Sequence, residues 1–118
     1  GGAMFEDMGV FKIYSAMARH AAEAQTHASK NIAHSDDPGY RATSLESFED
    51  YLKRTSLSPS ESEAFKITDS GTPTAPNGNS VSVEHELYKS AEAMDQHQLA
   101  LTVYSKSLDL LRAALGRR

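Results

Sequence analysis

A chain of 118 residues and 12.8 kDa holds one ordinary domain. Its net charge of -4 and pI near 5.7 exclude a general nucleic-acid binder, since no basic run exceeds Lys53-Arg54 or Arg117-Arg118, and the absence of cysteine excludes disulfide frameworks, thiolate zinc sites, iron-sulfur clusters and cysteine nucleophiles. Only 21 residues are Leu, Ile, Val or Phe, so the core is thin, while 16 alanines and 15 serines suit closely packed helices better than a Val/Ile-rich sheet.

In chain order, residues 1–3 read as an expression scar ahead of an initiator Met4. The residues after Met4 lack the basic region, apolar core and small-residue cleavage site of a secretory signal. No stretch approaches the roughly 18 consecutive apolar residues of a membrane span. From Asp7 to about Ser35 there is no proline, and apolar or small residues recur every seven positions. This predicts one long helix with Phe11, Ala18, Gln25 and Ile32 on one line of a seam and Tyr14, Ala21 and Ala28 on the other. Alanines bury little area each, so such a helix depends on a partner.

Asp36-Asp37-Pro38-Gly39 ends it, because proline cannot continue the hydrogen-bond ladder and disfavours helix at the residue before it. Thr43 and Glu46 have capping-box spacing, and Leu45, Phe48, Tyr51 and Leu52 form a stripe, which predicts a short amphipathic helix over residues 44–53. Residues 54–80 then turn rich in Ser, Thr, Pro and Gly and carry three of the four prolines, which predicts a flexible connector, with a brief strand at Phe65-Lys66-Ile67.

A second long helix is predicted from an N-cap at Ser82 to about Leu115, with Glu84 and Glu86 near its positive end and Gly116 as its stop. Leu87, Met94, Leu101, Leu108 and Leu115 recur every seven residues, with Tyr104 and Leu111 on the other seam line. Leu99, Val103 and Leu110 lie off this seam, so the last turns are apolar around much of their circumference and require more than one neighbour. The expected architecture is all-α: residues 4–53 as long helix, turn and short helix, 54–80 as connector and 81–118 as the second long helix, the two long helices forming a hairpin or coiled-coil-like bundle.

Catalytic chemistry finds little footing. His20, His27 and His34 recur every seven residues, two turns or about 10 Å of rise, so no two share an ion as an i, i+4 pair would. They read as an exposed stripe, and no metal site is assigned. Fifteen serines include no Gly-x-Ser-x-Gly elbow, and Asp36-Asp37 before Pro-Gly is what a helix end and turn use. Tyr14, Met17, Met94 and Tyr104 read as seam residues, with a ligand pocket as the alternative. No catalytic or cofactor-binding residue is assigned, and an interaction protein that assembles through its terminal helices is expected.

Two stretches carry a resemblance. The run from Ala28 to Ala42, with Asn31-Ile32-Ala33 followed by Asp36, Pro38, Gly39 and Tyr40, resembles the N-terminal signature of bacterial flagellar rod, hook and axial proteins, and its Asp-x-Pro-Gly-Tyr turn resembles that of the proximal-rod FlgB family. Gly78-Asn79-Ser80-Val81-Ser82-Val83-Glu84-His85-Glu86-Leu87, continuing through Gln98, Tyr104 and Leu108 to Leu115, is similar to that family's C-terminal helix. Together they span roughly residues 4–53 and 78–117. His34 stands where the family usually has Asn, and Asp37 where it usually has Thr.

The resemblance implies a structural subunit of the flagellar basal-body rod, located in the periplasm and exported without a cleavable signal through the flagellar export apparatus. Its implied partners are other rod proteins, copies of itself and components at the rod base, with no nucleic acid and no membrane span. Phe11, Tyr14, Ala18, Ala21, Ile32, Leu87, Met94, Leu101, Tyr104, Leu108 and Leu111 are the expected assembly seam. A subunit threaded through a narrow channel benefits from marginal stability alone, with ordering free energy supplied on assembly. Another axial component or rod adaptor is the alternative, and a small helical metal- or ligand-binding protein a more distant one.

Overall fold

The computed structural model describes residues 2–57 and 64–116, in the order α1 (Gly2–Ala33), β1 (Thr43–Leu45), α2 (Phe48–Leu57), β2 (Ile67–Asp69) and α3 (Val83–Ala114). The fold is mainly α, with two terminal helices of 32 residues and one small antiparallel sheet. The molecule is elongated and thin, 63 × 31 × 14 Å. The prolines and glycines between the long helices turn the chain back so that α3 lies along α1, with the rings of Phe11 and Tyr104 edge to face at 5.4 Å.

The short elements differ from expectation. Thr43 does not cap a helix. It opens β1, which pairs with β2 in the register Thr43 to Asp69, Ser44 to Thr68 and Leu45 to Ile67. Ser47 is the cap instead, its hydroxyl accepting from the Asp50 amide at 3.0 Å, so α2 starts at Phe48 and runs on to Leu57. Glu46 is thereby freed from capping: its carboxylate takes Arg54 at 2.5 Å and the Lys66 amide at 2.8 Å, and its own amide donates to the Lys66 carbonyl. These contacts hold the predicted connector in place from Ala64 onward. Phe65 is buried with Phe48, Tyr51 and Ala16, with Met17, Leu45 and Leu52 alongside. The predicted connector residues 58–63 lie outside the described residues.

The largest departure concerns α3. The leucine line of the predicted seam is not the buried one. Leu87 is 57% exposed, Met94 59% and Leu101 43%, while Glu86, Ala93 and Ala100, one residue earlier in each heptad, face α1 and are buried. Two alanine-lined surfaces let the helix axes approach closely, and Ala21 and Ala28 supply the matching surface on α1. Phe11, Tyr14, Ala18 and Ile32 border that contact half-buried, as do Leu108 and Leu111 on α3, and Tyr104 sits at its rim. Apolar pattern alone selects the leucines.

Candidate functional site

The entry to α3 is a buried polar junction built from the two stretches that carry the resemblance. At the end of α1, Asn31 is fully buried. Its amide donates to the Thr43 carbonyl at 2.8 Å, and its oxygen accepts from the Tyr40 hydroxyl at 2.9 Å and from the Thr43 amide at 3.4 Å. The Tyr40 ring stacks on His34 at 4.6 Å. Tyr40's hydroxyl is pushed above its ordinary pKa by burial first, then by the negative charges of Glu86 and Asp37.

From the other side, Asn79 sends its amide to the carbonyls of His34 (2.9 Å) and Asp37 (2.7 Å), and its oxygen receives the Val81 amide at 2.8 Å. His34 and Asp37 are the two positions that depart from the family pattern. Asn79 bonds only to their main chain, while the His34 side chain adds its stack on Tyr40 and lies 3.9 Å from the Asp37 carboxylate. Ser80 receives the Ala42 amide on its hydroxyl, gives its own amide to the Tyr40 carbonyl and receives the Thr72 hydroxyl on its carbonyl. The Gly39 amide donates to the Asn77 carbonyl at 2.9 Å. Gly78 has φ +87°, and a Cβ there would lie 3.2 Å from the Gly39 Cα, so a side chain would be strained by the backbone conformation and press on the Gly39 backbone. Ser82 then caps α3 by accepting from the His85 amide. Of the motif residues, Asn31, Gly39 and Tyr40 are in the junction. Asp36 and Pro38 lie exposed on the turn, Ala33 is exposed and Ile32 half-buried.

Beside the junction a cleft of about 470 Å³ opens between α1, β1 and α3. His20, His27, Glu86 and Lys89 are among the residues that line it. Histidine spacing suggests an exposed stripe, but the α2 module docks on that side: His20 is buried, its Nε2 2.7 Å from the Glu46 carbonyl and its ring edge-on to Phe65 at 4.9 Å. The Nδ1 of His20 and the Oε2 of Glu86, a residue only 2% exposed, are buried without a hydrogen-bond partner. No group of three His, Asp or Glu side chains among the described residues converges as a metal site would require. No described helix is long and apolar enough to cross a membrane.

The remaining surface feature is the outer face of α3. Leu87, Ala91, Met94, Gln98, Leu101, Ser105, Leu108, Arg112 and Leu115 succeed each other at alternating spacings of four and three, the spacing of a helix-packing seam. All but the half-buried Leu108 are exposed, and Arg112 is the first charge on this ridge. The predicted assembly residues therefore divide. The first-helix set borders the internal contact, while Leu87, Met94 and Leu101 form a ridge with no partner among the described residues. The sequence places Glu86 near the start of α3 and Asn79 and Ser80 just before it, but not their burial; for Asn79 and Ser80 the signal available was a run of small polar residues too long for a simple cap. Neither a family model nor a curated relative matches this chain.

Proposed function

We propose that the chain is a non-catalytic structural subunit of the bacterial flagellar basal-body rod, of the proximal-rod FlgB kind, which transmits torque for motility. Its terminal helices form a coiled-coil-like hairpin whose outer leucine ridge is completed by neighbours. One observation carries the reading. Along α3 and its cap, five apolar residues recur at strict seven-residue spacing, and Leu87, Met94, Leu101 and Leu115 among them face outward, where burial against a neighbour would stabilise an assembly at roughly 25 cal/mol per Å². Its support from the sequence is that the two stretches resembling the family are also those that interlock at the junction.

The partners proposed are other rod proteins, copies of this chain, components at the rod base and the export apparatus. The test is mass spectrometry of purified basal bodies together with swimming of a deletion strain complemented by Leu101→Asp. The variant should keep the helicity of the isolated protein, because Leu101 is exposed, yet fail to enter the basal body, since a carboxylate buried without a partner costs on the order of several kcal/mol. Normal motility of that variant removes the ridge from the reading. Absence of the wild-type chain from basal bodies ends the reading altogether.

A second reading, a small ligand-binding helical protein, is favoured by the cleft with its two unpartnered buried atoms. Stoichiometric Zn²⁺ or Ni²⁺ retained in equilibrium dialysis would support it.

A further inference from the structure

We propose that Asn77-Gly78, in the turn that leads into α3, is a site of spontaneous deamidation, and that the closed junction holds the reaction off until it opens.

The pair of residues sets the chemistry. The Gly78 amide nitrogen, unshielded by any side chain of its own, attacks Cγ of the Asn77 side-chain amide. The N–Cγ bond forms, the Cγ–Nδ2 bond breaks, and the Gly78 amide proton leaves with the departing ammonia. Water then opens the succinimide ring. Addition at Cγ gives aspartate. Addition at the former main-chain carbonyl gives isoaspartate, in which the main chain runs through the former side chain and is one carbon longer. Of the three asparagines, only Asn77 precedes glycine; Asn31 precedes the β-branched Ile32 and Asn79 precedes Ser80. Asn77 is exposed, whereas Asn31 and Asn79 are buried. Water and base therefore reach Asn77 first.

The folded turn restrains both reacting groups. The Gly78 amide hydrogen, whose loss makes the nitrogen a nucleophile, is donated to the Ala75 carbonyl at 2.8 Å. The Asn77 side chain is tied forward, its Oδ1 accepting from the Asn79 amide at 3.1 Å. That bond polarises the amide carbon, but it also fixes the side chain while the nitrogen keeps its proton. The Asn77 main-chain carbonyl accepts from the Gly39 amide at 2.9 Å, which opposes the peptide rotation that ring closure requires. Asn79 braces the whole turn, its carbonyl accepting from the Ala75 amide at 2.7 Å and its side-chain amide bonding the carbonyls of His34 and Asp37. The reaction therefore draws on the open form of the junction, as amide hydrogen exchange does. Either product adds a carboxylate. Isoaspartate also shifts Gly78 at a point where even an added Cβ would lie 3.2 Å from the Gly39 Cα. A chain whose junction has opened is thereby marked irreversibly.

The experiment incubates the full chain at mildly alkaline pH, folded and in concentrated urea, with Asn77→Ser as the blank. Intact mass follows ammonia loss, and peptide mapping separates aspartate from isoaspartate. The expected result is that Asn77 is the first asparagine to convert in urea and that the folded chain converts roughly tenfold or more slowly. Asn79→Ala, shown by circular dichroism to keep its helices, should convert faster than wild type. A second readout needs no variant: in sub-denaturing urea the wild-type conversion rate should rise in step with hydrogen exchange of the Gly78 amide. Equal rates in the folded chain and in urea overturn the proposal. So does a chain that stays unconverted in urea, one in which Asn79 converts before Asn77, or a folded Asn79→Ala that converts no faster than wild type.

Discussion

At the turn end of the molecule, Asn31, Asn79 and Ser80 are buried and their side chains are bonded to main chain between residues 34 and 81. Along α3 toward the open end, Leu87, Met94, Leu101, Leu110 and Leu115 face outward and the inner contact is made by alanine. One end is specified by directional polar bonds that fix geometry. The other offers non-directional apolar surface that any suitably shaped neighbour can cover. The contrast shows how a chain with few large apolar residues can hold a defined shape while five of its ten leucines, Leu87, Leu99, Leu101, Leu110 and Leu115, stay exposed.

The largest expected effect tests the polar end. Asn31→Ala removes three hydrogen bonds and leaves the Tyr40 hydroxyl and Thr43 main chain without them, and should lower unfolding free energy by about 3 to 5 kcal/mol in urea titration. Next comes the inner contact. Ala100→Leu, at a position with no exposure, should destabilise by about 1 to 3 kcal/mol because the helices must separate to admit it. Gly78→Ala should cost about 2 kcal/mol, combining a left-handed backbone with a clash against Gly39.

A smaller effect comes from Glu46. The hydrogen bond from Arg54 first, then the Lys66 amide and the charges of Arg54 and Lys66, hold its carboxyl below the ordinary range despite burial. Its contribution is complete above the unfolded-state pKa, about 4.3, and is lost as pH falls through the lower folded value. Stability measured by acid titration should therefore decline below about pH 4.3, and Glu46→Gln should flatten that decline. The smallest effect sharpens the contrast most. Leu101→Ser, adjacent to Ala100, should change the stability of the isolated chain by no more than about 0.5 kcal/mol. A loss of about 2 kcal/mol there would mean that the leucines, not the alanines, form the internal contact.

The sequence predicts both long helices, the Ser82 cap and the turn at Pro38-Gly39, because each arises from local periodicity or turn chemistry. Thr43 and Ser47 are harder to separate, since both offer a hydroxyl three residues ahead of a carboxylate; the strand partner that claims Thr43 lies 26 residues further along. The few apolar residues of the connector suggest flexibility, but Ser70 and Ser80 are held by long-range polar bonds to residues 40–44, and Thr72 is tied to Ser80, bonds that composition does not register. The phase of α3 is illegible for a related reason. Hydrophobic periodicity identifies leucines that seek burial, but it does not say whether the chain's own first helix or another molecule provides it.

The close contact between Gly39 and Gly78 also has a mechanical side. Each long helix of 32 residues reaches about 48 Å from that junction. Over such a length a tilt of about 5° at the base displaces the tip by about 4 Å, close to the rise of three residues. A methyl group wedged between the two glycines would therefore act as a shim under a lever, misaligning the far leucines from a neighbour while leaving their own surroundings untouched.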